Sequence, residues 1–529
     1  MALKEKISEH STLCIFGFGL GYHIEALMKV TDCEILVFEP DIDVLKIALT
    51  HRDLGKVLGR IKIISNYDIP LIKGSFRILK HNPSVRLQQR YYEIVEDYLR
   101  TRRVLQTGLR IAVVGPIYGG SLPIAEYTVK ALKALGHRVY YIDNSVYHEA
   151  FLFIDNVTRR SDLQDELRRQ FVEFASTSVL ARCEEHKPDL LIALAQAPLT
   201  QKSLEILRAG GLKTAFWFVE NYRHLDYWRY IFPHYDYLFV IQKGEFITHI
   251  KETLRKPVHY LPLAASPDVH RPLELTEDEI KEYGSDVSFV GAGYKNRREF
   301  FTGLIDYDLK IWGNEWDLNS PLGRVIQREG RRVSTEDIVK IFNASKININ
   351  LHSSAVHSGV DPFGDFINPR TFEIAASRAF QLVDTRESLS EFFDIGKEIE
   401  TFKSLNELRK KIDYYLSHPE ERVEIAEAGY RRVLKEHTYE IRLEEMIDFI
   451  MRHDFNLPAW TEKEIFVDEI MESNGYNNEL KEFFKQLKDK GRVTFEEIIE
   501  HIRDSEGDLS EAEKIFLFMN EVKNQYARP

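Results

Sequence analysis

Short apolar runs alternate with amphipathic helical segments along most of the chain. TLCIF at 12–16, RIAVV at 110–114 and KININL at 346–351 have the length and composition of buried strands, and each precedes a turn or polar loop and then a helix. This order is typical of a parallel α/β sheet. The alternation restarts near residues 110 and 286, so the pattern predicts three α/β units. Glu, Lys and Phe at helical spacing predict a helical tail at 455–529.

We predict an α/β protein in which two Rossmann-like domains face a cleft. A charged segment with prolines at 266–284 indicates the linker between these domains. Ligands of open parallel sheets bind at the carboxyl ends of strands, so the chemistry is expected in the loops that face this cleft. The predicted boundaries are 1–105 for an N-terminal α/β extension with a helical connector, 106–275 and 276–438 for the two domains, 439–454 for a long amphipathic helix and 455–529 for the tail.

Charge, apolar run length and cysteine spacing exclude several kinds of partner and site. The 529 residues include 71 Lys and Arg against 83 Asp and Glu, a net charge of −12, so no general attraction to nucleic acid or anionic lipid is expected. The longest apolar stretch, near 190–199, has about half of the ~20 residues that a membrane span needs. The first ten residues lack the apolar core of a secretory signal. The three cysteines fit neither a zinc site nor a redox pair, which favours a cytoplasmic protein.

The most informative segment is the loop and helix at 350–384. The predicted helix starts near Arg370, and a helix N-terminus can hold a diphosphate through its free N–H groups. Arg370 adds a fixed cation, and Glu373 could accept both hydroxyls of a ribose. Asp365, in the loop, could face a sugar hydroxyl. Three further residues of this segment are predicted to bind substrate: His352, Asn368 and Thr371.

A basic cluster follows the predicted strand at 286–290. Gly293 lets the backbone approach a ligand closely. Lys295, Arg297 and Arg298 then bring three positive charges, which indicate an anion site in an acidic chain.

The first domain contributes the opposite wall of the predicted cleft. Gly119 and Gly120 stand at the start of a helix, where a close turn suits a bound ligand. Glu220 and Asn221 follow the strand KTAFWFV at 213–219 and face the cleft.

These motifs resemble the group-1 retaining glycosyltransferases of GT-B fold. A carboxylate, seven residues and a helical Glu form that family's sugar-nucleotide motif, and Asp365 here stands where Glu is usual. The resemblance is closer to the CgeB-like branch, named after a spore maturation protein. It rests on RTFEIAA at 370–376, FQLVD at 380–384, HPEER at 418–422 and FWFVENYRH at 216–224, and it covers about residues 108–455.

The resemblance implies a nucleoside diphosphate sugar as donor. Glu373 would hold the ribose and Asp365 the donor sugar, while Arg297 or Arg298, with Lys295, would neutralise the leaving diphosphate. No metal or other cofactor is expected, because such enzymes use protein cations for this task. No nucleophile is expected either. The predicted catalytic residues are Glu220, Asn221, Asp365 and Arg297, and the helix near 439–452 resembles the one that crosses back onto the first domain in this fold.

The N-terminal extension carries a second, weaker signal. GFGLG at 17–21 followed by Glu39 fits a dinucleotide or S-adenosylmethionine fingerprint, but this signal alone is weak, and close packing explains the three glycines better. FGFGLGYHIEAL, ILVFEPD and HNPSVRL resemble the N-terminal part of bacterial motility accessory factor proteins, which are associated with flagellin glycosylation. That resemblance implies a protein acceptor, with flagellin as one candidate, or a surface glycan.

Two other functions stay open at this point. The chain could be a methyltransferase or dehydrogenase that works through GFGLG, or a non-catalytic component that binds sugar nucleotides in a glycosylation complex. The nucleotide base, the sugar, the acceptor and the formation of a homo-oligomer are left open.

Overall fold

The computed structural model describes residues 12–67, 69, 76–106, 108–354, 357–361, 364–472 and 476–526. The chain divides into two compact units, one comprising Met1–Leu109 with Asn456–Pro529 and the other Arg110–Phe455. Three parallel sheets with intervening helices run through these units, which confirms the predicted α/β class.

The N-terminal segment forms a four-stranded parallel sheet in the order β3-β2-β1-β4. The strands are β1 (Thr12–Phe16), β2 (Glu34–Phe38), β3 (Ile61–Ile64) and β4 (Phe76–Lys80). The helices are Tyr22–Met28, Ile42–His51, Gly55–Leu58, Asn82–Leu87 and Gln89–Gln106. The sequence pattern indicates only about three of these strands, because β4 has the sequence FRILK, in which two charged residues interrupt the apolar run.

The second unit begins with a six-stranded parallel sheet in the order β10-β9-β8-β7-β5-β6. The strands are β5 (Arg110–Val114), β6 (Arg138–Ile142), β7 (Leu190–Leu194), β8 (Lys213–Phe218), β9 (Tyr237–Val240) and β10 (Val258–Tyr260). The helices are Leu122–Ala134, His148–Val157, Ser161–His186, Gln201–Ala209, Trp228–Ile231 and Glu245–Leu254. The central strands read as continuous apolar runs because helices cover both faces of the sheet.

A five-stranded parallel sheet follows in the same unit, in the order β12-β11-β13-β14-β15. The strands are β11 (Val287–Val290), β12 (Leu309–Trp312), β13 (Ile347–Asn350), β14 (Gln381–Asp384) and β15 (Glu400–Phe402). The helices are Glu277–Tyr283, Lys295–Phe301, Thr335–Ala344, Pro369–Ala376, Leu405–Ser417 and Pro419–Glu436.

One further helix, Tyr439–Arg452, crosses from the second Rossmann domain back to the first, as expected. The Tyr439 ring centroid lies 5.3 Å from that of Tyr127 in the first domain. Arg442 Nε donates to the carbonyl of Pro262 at 3.1 Å, and Phe449 packs edge-on against Phe239 at 5.5 Å. The two domains of this unit are therefore linked by a packed helix as well as by the 266–284 segment.

The C-terminal segment is largely helical. Its helices are Val467–Glu472, Asn478–Gln486, Phe495–Asp504 and Glu511–Tyr526. It also has two short antiparallel strands that the sequence pattern did not predict, β16 (Ile465–Phe466) and β17 (Arg492–Val493). Across the described ranges, no helix has both the length and the apolar character needed to cross a bilayer.

Candidate functional site

A cavity of about 740 Å³ opens between the two Rossmann domains of the second unit. The loop after β5 supplies one wall, and the loops after β11 and β12 supply the other. The cavity therefore lies at the carboxyl ends of parallel strands, where α/β sheets bind their ligands. Four of the predicted site residues line it: Gly119, Gly120, Arg370 and Glu373.

Two helices begin at this cavity. Pro369 and Arg370 open the helix Pro369–Ala376, and Asn368 caps it by accepting the N–H of Thr371 at 3.1 Å. Ser334 and Thr335 likewise open the helix Thr335–Ala344. Both N-termini bring partial positive charge and N–H groups to one wall, which is the arrangement that binds phosphate.

The sequence reasoning missed Arg332, which also lines the cavity. It is exposed and stands just before the Thr335–Ala344 helix. The sequence does contain a pattern that indicates this anion site: two arginines, Arg331 and Arg332, shortly before the N-cap Ser334. The remaining charged side chains of the lining are carboxylates at Glu126 and Glu315, in addition to Glu373.

Glu373 lies one turn into its helix and is only 5% exposed. Arg370, three residues earlier, forms an ion pair with its Oε2. The other oxygen, Oε1, lies 3.7 Å from Nε2 of His270, a residue of the interdomain segment. A carboxylate held on both sides keeps a defined orientation at the cavity wall, as a hydroxyl acceptor requires.

Asp365 is engaged across the cleft rather than free at the cavity. Its Oδ2 accepts from Arg223 Nη1 at 2.6 Å, and its Oδ1 accepts from Gln242 Nε2 at 2.8 Å. Both partners belong to the first Rossmann domain. Asp365 therefore bridges the two domains in this structure, and its contact with a sugar hydroxyl stays a prediction. Residues 355–356 and 362–363 of the same loop lie outside the described ranges.

The three predicted cations after β11 separate in the structure. Lys295 and Arg298 are exposed and absent from the described lining of the cavity. Arg297 is buried and donates to the carbonyls of Leu351 and Ala292, each at 3.0 Å. Burial lowers its pKa to about 10, so it stays charged at neutral pH directly behind the wall formed by Ala292. Gly293 is buried in the same turn, where its N–H donates to the Asn314 carbonyl.

A buried network supports the start of the Pro369–Ala376 helix. His352 Nδ1 donates to Asp384 Oδ1 at 2.6 Å, and His352 Nε2 accepts the backbone N–H of Asn368 at 2.9 Å. Arg386 pairs with the other oxygen of Asp384. Both nitrogens of His352 are thus occupied by protein groups, so the predicted substrate contact is not available to them. Asn368 and Thr371 also bond to Asn350, which ties the helix start to β13.

Glu220 and Asn221 hold the loop after β8. Glu220 accepts from Gln196 Nε2 and from the Tyr227 hydroxyl, both at 2.7 Å, and burial raises its pKa. Asn221 Oδ1 accepts the N–H of Arg223 at 3.0 Å. Neither belongs to the described lining of the cavity. Their immediate effect is to position Gln196, which lies against Gly119, and Arg223, which binds Asp365.

Buried histidines predict that this protein loses stability in mild acid. Burial lowers the pKa of His352 and of His437 to about 4, from about 6.5 in the unfolded chain. Between these values the unfolded chain binds more protons, so the free energy of unfolding falls as pH falls. We expect the unfolding temperature to decrease from about pH 7.5 to about pH 5, and less so in His437→Gln. The exposed His224→Gln is the control, and an unchanged pH dependence in His437→Gln would contradict the assignment.

The glycine-rich turn of the first unit is closed by side chains. A Cβ on Gly17 would lie 2.3 Å from Cβ of Ser84, and one on Gly19 would lie 2.8 Å from Cε1 of His81. Both glycines have positive φ, of 97° and 52°. The carboxylate of Glu39 accepts the N–H groups of Phe18 and Asp41 instead of standing free. These glycines therefore serve close packing against the segment after β4.

A smaller cavity lies beside this turn. It has a volume of about 530 Å³ and is lined by Gly19, Leu20, Tyr22, His23, Val44, Ile47 and His81. Among the described residues of this lining there is no carboxylate and no arginine or lysine. As for metals, the described part of the chain contains no cluster of three or more His, Cys, Asp or Glu side chains able to hold one.

Comparison with known proteins yields two family matches. A family described as "Glycosyl transferase-like" matches residues 297–448, which include Arg370 and Glu373. A family described as "Glycosyltransferase Maf N-terminal domain" matches residues 2–74. The chain is also 25% identical over 271 residues to the spore protein CgeB of Bacillus subtilis, an alignment that covers 49% of this chain and 82% of that protein. Both resemblances drawn from the motifs are confirmed.

Solved structures with a similar arrangement include a glycosyltransferase from Rickettsia africae, with a TM-score of 0.45 and 14% identity over 66% of this chain and 99% of that one. HepE from Anabaena in complex with UDP-glucose matches with a TM-score of 0.45 and 10% identity over 65% of this chain and 100% of that one.

Proposed function

We propose that this chain is a CgeB-like glycosyltransferase of GT-B fold, and that it transfers a sugar from a nucleoside diphosphate sugar bound in the 740 Å³ cavity to a protein or surface-glycan acceptor. One observation carries this proposal. A buried, oriented carboxylate at Glu373 shares a cavity wall with two helix N-termini. A ribose needs a carboxylate that accepts its hydroxyls, and a diphosphate needs helix N-termini. A nucleoside diphosphate needs both groups at neighbouring positions.

In this proposal the nucleotide end of the donor binds to the second Rossmann domain. Glu373 accepts the ribose hydroxyls, while Arg370 holds the Glu373 carboxylate in place. The diphosphate lies against the N–H groups that open the helices Pro369–Ala376 and Thr335–Ala344, with Arg332 as the exposed cation. Arg297 is buried behind Ala292, which lines the cavity, and its positive charge adds to the potential that attracts the diphosphate.

We propose retaining chemistry without a metal. The bond from the anomeric carbon to the diphosphate oxygen breaks, the bond to the acceptor oxygen forms on the same face, and the leaving phosphate takes the acceptor proton. Negative charge grows on the diphosphate during this step, so fixed donors and cations aimed at it lower the barrier. Asp365 and Glu220 both accept hydrogen bonds from protein partners in this structure, and their roles at the sugar stay predictions.

The acceptor is proposed from the N-terminal match. Residues 2–74 are similar to the N-terminal domain of Maf glycosyltransferases, a group that the motif resemblance links to flagellin glycosylation. We therefore propose a protein acceptor, with flagellin first among the candidates. A surface glycan is the alternative within the same reaction class.

The cofactor-dependent alternative has little support in the first unit. A dinucleotide or S-adenosylmethionine site there requires a free ribose-binding acid after β2, whereas Glu39 is buried and accepts two backbone N–H groups.

A non-catalytic protein that only binds sugar nucleotides is distinguished from a transferase by its lack of activity. A transferase with the donor bound should release free sugar slowly by hydrolysis even without an acceptor, whereas a pure binding protein should not.

The first test is a thermal-shift panel with UDP, GDP, dTDP and CDP, each with and without EDTA, and with S-adenosylmethionine and NAD. A ligand at 100 times its dissociation constant stabilises the folded protein by about 2.7 kcal/mol. We expect one nucleoside diphosphate to raise the unfolding temperature to the same extent with and without EDTA.

Arg332→Gln is the matched variant for this panel, because it removes an exposed cation of the cavity without opening the core. Its shift with the same nucleotide should be smaller. A rise with S-adenosylmethionine or NAD alone would contradict the proposed function.

A further inference from the structure

His270 lies in the segment that the sequence pattern predicted to be only a linker. Its side chain is 1% exposed, and it sits between the first Rossmann domain and the helix that carries Glu373. The linker therefore places a polar ring inside the protein at the back of the proposed nucleotide site. Buried polar groups are normally fully engaged, so the partners of this ring are informative.

The hydrogen bonds of His270 determine which nitrogen carries its proton. Nδ1 accepts the backbone N–H of Ser266 at 3.2 Å, so the neutral ring carries its hydrogen on Nε2. Burial lowers the pKa of His270, which favours this neutral form. Nε2 lies 3.5 Å from the hydroxyl of Tyr127 and 3.7 Å from Oε1 of Glu373.

Each oxygen of the Glu373 carboxylate therefore faces a different donor. Arg370, from the same helix, pairs with Oε2, and Nε2 of His270, which carries the ring hydrogen, lies near both Oε1 and the Tyr127 hydroxyl. The 3.7 Å separation exceeds a normal hydrogen bond, so the attraction is that of a fixed dipole for a charge. Both side chains are largely buried, so solvent screens this attraction less than it would at the surface.

Resting on the proposed function, we infer that His270 is a positioning residue that orients the Glu373 carboxylate toward the ribose of the donor. Tyr127, on the helix that follows the Gly119 loop, packs edge-on against the His270 ring at 5.2 Å. The ring thus connects the first domain and the interdomain segment to the ribose-binding carboxylate. The orientation of Glu373 then depends on both domains being correctly placed.

The test compares two nucleotides in three proteins. The nucleotides are the nucleoside diphosphate selected by the thermal-shift panel and its 2′,3′-dideoxy analogue, and the proteins are wild type, His270→Leu and His270→Gln. Calorimetry gives each dissociation constant. We expect His270→Leu to weaken binding of the hydroxylated nucleotide about 10-fold, the loss typical of one interaction with a charged group, and to leave the dideoxy analogue unchanged. His270→Gln keeps an N–H donor near the Nε2 position and should recover most of the affinity.

The outcomes separate this inference from the proposed function. An equal loss for both nucleotides in His270→Leu means that His270 acts only through packing, and overturns the inference alone. Full affinity for both nucleotides in a folded His270→Leu protein also overturns it. If wild type binds no nucleoside diphosphate, or binds both forms equally, the ribose site itself is wrong and both proposals fail.

Discussion

Replacing Glu373 with glutamine is expected to weaken binding of the nucleoside diphosphate about 10- to 100-fold, because hydrogen bonds to a charged group contribute about 1.5–3 kcal/mol. Glutamine keeps the size of the side chain but has one acceptor oxygen and no charge. It also leaves Arg370 without its partner at the cavity wall. The measurement is the dissociation constant by calorimetry, with the 2′,3′-dideoxy analogue as the companion ligand.

The analogue makes the result specific to ribose. In wild type the hydroxylated nucleotide should bind more tightly than the dideoxy form, and Glu373→Gln should remove that difference. Glu184→Gln, on the exposed face of the helix Ser161–His186, is the matched control and should bind both as wild type does. A folded Glu373→Gln protein that retains the preference for the hydroxylated nucleotide would rule out the ribose assignment.

The parallel sheets were predictable because their strands are buried on both faces. Such strands read as unbroken apolar runs, and β5, β7 and β8 stand out for that reason. β4 does not stand out in the sequence, because it is an edge strand and two of its five residues, Arg77 and Lys80, are charged. The paired strands β16 and β17 are two residues long, which is below the length at which alternation carries any signal.

The site was predictable where local sequence determines local geometry. A Pro after an Asn cap, followed by Arg370 and Glu373, marks a helix start with a cation on its first turn and a carboxylate one turn in, and the structure places both at the cavity. Lys295 and Arg298 show the limit of this reasoning. Charges adjacent in sequence point to different sides of a helix, and only burial in the tertiary fold shows that Arg297 turns inward.

Contacts between distant segments could not be inferred from the sequence. Asp365 accepts hydrogen bonds from Arg223 and Gln242, which lie more than a hundred residues earlier in the chain. His270, held by the N–H of Ser266 in the interdomain segment, lies 3.7 Å from Glu373, about a hundred residues further along the chain. In both cases the contact depends on how two sheets pack, which the sequence around Asp365 and Glu373 does not determine.

Asp384→Asn is expected to destabilise the second unit by about 3–5 kcal/mol, the cost of leaving a buried charge without its partner. Asp384 is fully buried, and it accepts from His352 on one oxygen and from Arg386 on the other. Burial alone raises the pKa of Asp384, but His352 and Arg386 more than offset this and bring it to about 2. Asparagine must turn its NH₂ group toward one of these two donors. Scanning calorimetry should show an unfolding temperature lower by several degrees.

The control is Asp394→Asn, which breaks an exposed pair with Lys397, where the two side chains are 57% and 77% exposed. A surface pair of this kind contributes less than about 1 kcal/mol, so the unfolding temperature should barely change. Asp384→Asn should also weaken nucleotide binding, because His352 would no longer be held to accept the N–H of Asn368 at the start of the Glu373 helix. Equal effects of the two substitutions on the unfolding temperature would mean that the buried network does not support that helix.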